Sequence, residues 1–223
     1  MSDRSVIIGA GTQGQIYASY LLEAGINIVG FIDDNPSLLG QKVVGVPVIG
    51  SYHDLYTSKF KETIQAVYCP IGDNHIRVEY LSALHKEGYK IPSFIHPSVS
   101  IGPDVILGEA IYMLVGNIVM PHTSLGNYIM INQASTIAHH VIVEDGTFIS
   151  SGVNVGACIR VQEKSYIGMG VTIMTGVKSL GKNCLLGAGS VIIKDVPENA
   201  VMVGNPGRIL RYQKNNSDVQ CKP

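Results

Sequence analysis

The sequence predicts a small α/β domain followed by an all-β domain, a parallel β-helix. Three observations carry that expectation. Strand and helix signals alternate over the first 90 residues. From Ile95 onward an aliphatic residue returns every six positions. Glycine is frequent, at 25 of 223 residues, without the every-third spacing of a collagen.

In the first segment, residues 6–8 read as a short buried strand, followed by Gly9-Ala10-Gly11-Thr12-Gln13-Gly14. Residues 16–24 carry a helical apolar period, and 28–32 read as a second strand ending at the turn cluster Asp33-Asp34-Asn35-Pro36. Residues 46–49 suggest a small extra strand and 66–69 a third main one. Residues 74–87 read as a helix with Ile76, Tyr80, Leu81 and Leu84 on its apolar face. Alternation of this kind argues for a parallel βαβ sheet.

Near Pro92 the pattern changes. Fourteen consecutive positions at six-residue spacing, from Ile95 to Ile173, are aliphatic. Four residues after each lies Ser, Thr, Val or Ile in thirteen of the fourteen cases, with Asn117 the exception. One residue is inserted near 178–180, and the frame is expected to resume at Leu185 and Val191. A period of six fits neither a helix, at about 3.6, nor a strand, at about two. It fits a solenoid whose flat sides each turn one aliphatic residue inward, three such sides making one coil. Ordinary sandwich strands do not keep phase over such a length. The expected domains are 1–92, 93–211 and a polar tail, 212–223.

Composition narrows the function. A net charge of −1 argues against a general nucleic-acid binder. The most apolar run, 110–121, has 12 residues, short of the roughly 20 a membrane span needs. With no signal-peptide pattern at the N-terminus, the expected location is cytoplasmic. Cys69, Cys158, Cys184 and Cys221 lack metal or disulfide spacing and read as reduced thiols, and no metal is expected.

Gly9, Gly11 and Gly14 form G-x-G-x-x-G between a strand and a helix, a pattern that brings backbone close to phosphate. Asp33, directly after the second strand, stands where a ribose-binding acid sits in dinucleotide folds. Fewer than 95 residues precede the repeat, room for one mononucleotide half only, which favours a mononucleotide over NAD.

The hexapeptide frame resembles the left-handed β-helix of hexapeptide-repeat acyltransferases. Over residues 4 to about 211 the chain resembles bacterial sugar O- and N-acetyltransferases that carry a Rossmann-like domain ahead of the β-helix. That group includes sialic acid O-acetyltransferases and N-acetyltransferases of nucleotide-linked 4-amino sugars. The resemblance rests on the Gly-rich start with Asp33-Asp34-Asn35, on Phe94-Ile95-His96-Pro97-Ser98, on Ile131-Asn132 to His139, and on Val203-Gly204-Asn205-Pro206-Gly207-Arg208.

It implies a homotrimer using acetyl-CoA, without a metal, to acetylate the amino group of a UDP-, dTDP- or GDP-linked sugar. A 4-amino-4,6-dideoxyhexose for surface polysaccharide is the expected acceptor. His139 matches the catalytic base, a role that suits imidazole near neutral pH. Ala157, one coil later, matches a backbone N–H donor to the thioester carbonyl. Asn132 matches a sugar-contacting position and reads equally as a side-stacking residue. Gly11, Thr12, Gln13, Gly14, Asp33 and Asp34 match the nucleotide site, although Thr12-Gln13 replaces the usual Gly-His. Arg208 matches a position near the CoA tail. Phe148 and Tyr166 fit an acceptor pocket or subunit packing. His140 departs from the family, which commonly has Asp or Glu after the base. Either a backbone carbonyl, a water or another acid such as Glu144 is then expected to orient the ring, or the base is less activated, and His140 itself reads as a bystander rather than a catalytic residue. O-acetylation of a free sugar by the same machinery and a non-catalytic trimeric nucleotide-sensing scaffold remain open alternatives.

Overall fold

A computed structural model of the protein describes residues 3–213. The chain forms two compact units. The first runs to Phe94 and adds Glu109–Tyr112; the second holds Ile95–Gly108 and continues from Met113. Cys221 and most of the expected tail lie outside the described residues.

The first unit contains β1 (Ser5–Ile8), α1 (Thr12–Glu23), β2 (Ile28–Ile32), β3 (Lys42–Val43), β4 (Val46–Gly50), α2 (Ser58–Thr63), β5 (Ala66–Tyr68) and α3 (Asn74–Lys86). Its five-stranded sheet has the order β3-β4-β2-β1-β5. β1 pairs in parallel with both β2 and β5, and only β3 is antiparallel. Every residue of β1 is buried, as a central parallel strand requires.

α1 starts at Thr12, ahead of its apolar period, because the glycine turn ends at the N-cap Gly11 and residues 12–14 already form the first helical turn. α3 differs from expectation in its buried face. Arg77 lies beneath it with Leu81 and Leu84, while Ile76 is exposed. The Arg77 guanidinium donates to the Ile71 carbonyl and to Asn74 Oδ1, each at 2.7 Å. Burial pulls it down to about 10, which leaves it charged at neutral pH.

The second unit is a solenoid of two-residue strands in three parallel sheets. Each strand pairs in register with its counterpart one coil on, as in Val119↔Ile137 and Leu125↔Val143. The second residue of each strand points inward. Ile131, Ile137, Ile149, Val161 and Ile167 are fully buried. Ile101 and Leu107, on the first coil, remain partly exposed. The insertion falls as expected, but the frame resumes one residue later, at Leu186 and Ile192. Ile167 pairs with Leu186 and Ile173 with Ile192, so the added residue is carried through the coil.

Glycines after the inward residue mark corners where coils nearly touch. A Cβ on Gly156 would lie 2.5 Å from the Thr175 amide of the next coil. From Ile111 onward the second register is buried too, and it explains the exception. Asn117 donates to the Leu114 and Ile131 carbonyls at 2.8 and 3.2 Å and accepts from the Ser135 amide at 2.8 Å. Ser135 Oγ in turn donates to the Ser150 carbonyl and accepts from the Val153 amide. Asn117→Ala strands two buried polar groups, the Leu114 carbonyl and the Ser135 amide, while the Ile131 carbonyl keeps the Leu114 amide, so a loss of about 2–3 kcal/mol in urea unfolding is expected. An unchanged midpoint would show that water replaces the amide.

Strand Arg208–Tyr212 runs antiparallel to Ala200–Val203, and Tyr212, expected to begin the tail, still pairs with Ala200. No described helix is long and apolar enough to cross a membrane. Among the described residues Cys69 and Cys184 are buried and Cys158 is exposed, all unbridged.

Candidate active site

In the first unit the loops after β1, β2 and β5 meet at the carboxyl ends of the strands. Parallel α/β sheets bind ligands there, beside the strand where the order changes direction. One part of the cleft is lined by Gly9, Asp33, Asp34, Tyr52, Ile71 and Tyr80. The adjoining part is lined by Gly11, Thr12, Gln13, Gly14 and the Pro70-Ile71-Gly72 loop.

All six expected nucleotide-site residues therefore come to one cleft. The first turn of the 12-residue α1 sits at it and carries no acidic side chain, so the positive end of the helix dipole is available to an anion. The two acids divide their work. Asp33 is spent on the backbone, accepting from the Ala10 amide at 2.8 Å and from the Asn35 amide at 2.9 Å. Asp34 accepts from the Tyr52 amide through Oδ1, at 2.8 Å, and is exposed.

Tyr52 stacks on Tyr80 with ring centroids 3.7 Å apart and planes 13° from parallel. Sequence reasoning missed this aromatic wall, because its two halves belong to separate elements with no shared period. Arg77 holds the Ile71 carbonyl from below and so shapes the third loop.

In the second unit His139, His140 and Ala157 gather at one corner of the prism. Residue 140 lies in the left-handed region (φ 57°), and so do its counterparts in neighbouring coils, Asp104, His122 and Cys158 (φ 57°, 61° and 61°). The chain turns sharply there, and both His139 and His140 are exposed. The corner is tied upward by the Cys158 amide on the His139 carbonyl, 3.1 Å, and downward by the His140 amide on the Pro121 carbonyl, 3.3 Å.

The two rings stand perpendicular, with Nδ1 of His139 3.0 Å from Nδ1 of His140. His140 also faces His122, ring centroids 4.8 Å apart, and His122 Nδ1 lies 3.7 Å from Asp104 Oδ2. Glu144, expected as a substitute acid, is engaged elsewhere. It accepts from Arg160 Nε at 2.6 Å and from the Glu163 amide at 3.1 Å.

Ala157 is nearly buried, and its amide donates to Thr175 Oγ1 over a long 3.2 Å. Thr175, another residue that sequence reasoning missed, follows on the next coil. Asn132 is half-buried at the end of an inner strand, its amide bonded to the Ile149 carbonyl. Phe148 and Tyr166 stack on one another, 4.9 Å apart and 5° from parallel, as successive rungs of one sheet. Arg208 opens the last strand and donates to the Gly207 carbonyl. Among the described residues no cluster of three or more His, Cys, Asp or Glu is set to hold a metal ion.

Comparison with known proteins adds three findings. The PglD N-terminal domain family matches residues 4–84. Among curated relatives, a galactoside O-acetyltransferase of Lactococcus lactis is 32% identical over 121 residues, 52% of this chain and 56% of that protein. A putative acetyltransferase of Schizosaccharomyces pombe is 35% identical over 95 residues, 41% of this chain and 44% of that one. The matched stretches thus span about half the length of these relatives.

Among solved structures, the acetyltransferase domain of PglB from Neisseria gonorrhoeae superposes with a TM-score of 0.85 at 27% identity. The match covers 94% of this chain and 100% of that one. PerB from Caulobacter crescentus, solved with CoA and GDP-perosamine, gives 0.85 at 26% identity, covering 92% and 96%.

Proposed function

We propose, from a PglD N-terminal domain set ahead of a hexapeptide-repeat β-helix, the architecture of PglD-type N-acetyltransferases, that this chain transfers acetyl from acetyl-CoA to the amino group of a nucleotide-linked sugar. The observation that carries the reading is His139. It stands on an exposed corner, its Nδ1 committed to a neighbouring ring and its Nε2 open, with the Ala157 amide one coil above.

The amine attacks the thioester carbon while His139 Nε2 takes its proton. The carbonyl oxygen becomes an oxyanion, and the Ala157 N–H turns to it from the long bond to Thr175 Oγ1. Collapse of the adduct breaks the carbon–sulfur bond. The thiolate leaves and takes a proton from the imidazolium, giving an acetamide and free CoA. The first unit holds the nucleotide: α1 meets the phosphates, Asp34 and the Tyr52–Tyr80 wall face the nucleoside, and Asp33 keeps the loops in place. Asn132 contacts the sugar and Arg208 the CoA phosphates. The working form is a cytoplasmic homotrimer, and the acceptor is a 4-amino-4,6-dideoxyhexose.

Titrating the full chain with UDP, dTDP and GDP tests this. Micromolar binding of one nucleotide, with thiol release from acetyl-CoA on adding the matching amino-sugar nucleotide, is the expected result. Thiol release with a free sugar and no nucleotide binding would move the reading to O-acetylation. Nucleotide binding without turnover on any amino-sugar nucleotide would leave a sensing scaffold.

A further inference from the structure

The corner that carries His139 lacks the acid that usually follows such a base, and what stands there is a second imidazole with its Nδ1 3.0 Å from that of the first. We propose that His140 is the positioning residue of this site. It accepts the Nδ1–H of His139 and so fixes the tautomer that leaves Nε2 free. The inference rests on the reading of His139 as the base.

Two neutral imidazoles facing each other through Nδ1 share one proton between those two nitrogens, and whichever ring donates is committed to its own tautomer. If His139 donates, its Nε2 is a lone pair and can take a proton from the amine. If His140 donates, His139 carries its proton on Nε2 and is useless as a base there. When His139 Nε2 gains the proton, the Nδ1–H···Nδ1 bond becomes charge-assisted, so it is stronger in the charged state than in the resting one. The proton then leaves Nε2 for the departing thiolate, and the Nδ1 proton stays where it was.

His140 itself stands in a column of corner residues. Its other neighbours are the His122 ring on the coil below, 4.8 Å away, and Cys158 at the same register on the coil above. The one carboxylate in the column, Asp104, lies beside His122 rather than His140, at 3.7 Å. Glu144 is held by Arg160. Among the described residues the Nδ1 of His139 therefore has the His140 ring as its side-chain partner, with no carboxylate to take its place.

The first test needs no substrate. In the ¹⁵N-labelled full chain, long-range proton–nitrogen correlation at neutral pH is expected to show His139 protonated on Nδ1, with its signals assigned from the His139→Gln variant. His140→Ala should return it to the Nε2–H form that free imidazole prefers. An Nε2–H ring at His139 in the unsubstituted protein would overturn the proposal.

The second test is kinetic. His140→Ala should lower kcat by roughly 10–10²-fold, part of the 10²–10⁴-fold that a placed base supplies. The KM for acetyl-CoA should hold. His140→Asn, which keeps an acceptor, should recover most of the loss. His140→Asp should recover it too and move the acid limb of the pH profile upward, since a carboxylate favours the imidazolium. The double variant His139→Ala/His140→Ala should be no slower than His139→Ala alone. Additive losses, or full activity in His140→Ala, would refute the positioning role while leaving His139 as base. Full activity in His139→Ala would instead refute the base, and the tautomer measurement would still decide the positioning.

Discussion

Replacing His139 with alanine is expected to lower kcat by roughly 10²–10⁴-fold while CoA binds as before. The corner geometry explains both halves. His139 is an exposed residue whose backbone carbonyl is held by the Cys158 amide and whose ring meets that of His140. Its removal takes no inward residue from the core, because Ile137 and Val141 on either side remain buried. The coil therefore survives, and whatever holds the CoA survives with it. The loss is confined to proton removal, so thiol release should fall at saturating substrate while CoA titration gives an unchanged affinity. Near-normal turnover would remove His139 from the mechanism.

A second large effect is expected from Gly14→Ala. Gly14 lies in the first turn of α1, packed against the glycine loop that precedes it. A Cβ there would overlap the Gly9 carbonyl oxygen, an impossible approach, and would stand 3.5 Å from the Phe31 ring. The oxygen belongs to backbone and has no side-chain freedom to retreat. The Gly9 amide is bonded to the Ile32 carbonyl at 2.8 Å, which restrains the loop further. Either α1 lifts from β1 or the loop moves away from the cleft, and both displace the helix terminus from the phosphate position. Nucleotide affinity should fall by more than roughly tenfold, about 1.4 kcal/mol. The first unit should also melt earlier than in the parent chain. Unaltered nucleotide binding would place the phosphates elsewhere. By contrast a Cβ on Gly11 meets nothing within 4 Å, so Gly11→Ala should leave the melting of the first unit unchanged.

The sequence exposed the solenoid through a property that belongs to the chain itself. A chain that coils with a constant repeat must bury the same positions each time, so the inward frame is written as a period and survives even a one-residue insertion. The error at Leu185 and Val191 has the same source: a period places the insertion but not the side of the corner that absorbs it. The same arithmetic could have revealed the column Asp104, His122, His140 and Cys158, whose members follow one another coil by coil. Polar residues on an outer corner obey no burial pattern, so they did not stand out.

The first unit was legible in β1, β2, β4 and β5 and in α1 and α3, where apolar runs are long enough to declare themselves, whereas the two-residue β3 was missed. The short α2 lacks such a run. The place of Arg77 on the buried face of α3 escaped a reading based on apolarity, because its charge is satisfied by the Ile71 carbonyl and Asn74 Oδ1, partners that only folding supplies.

By itself, then, the sequence determined which residues face the interior of each coil up to the insertion and where the glycine loop lies, since both are matters of spacing along one chain, while the family resemblance singled out His139. Only the tertiary structure decided that Asp33 is consumed by backbone amides, that Tyr52 and Tyr80 stack, that Thr175 holds the Ala157 amide, and that His140 rather than Glu144 meets the His139 ring. Hydrogen bonds and ring contacts depend on distances of a few ångströms between residues far apart in the chain, and no local period encodes them.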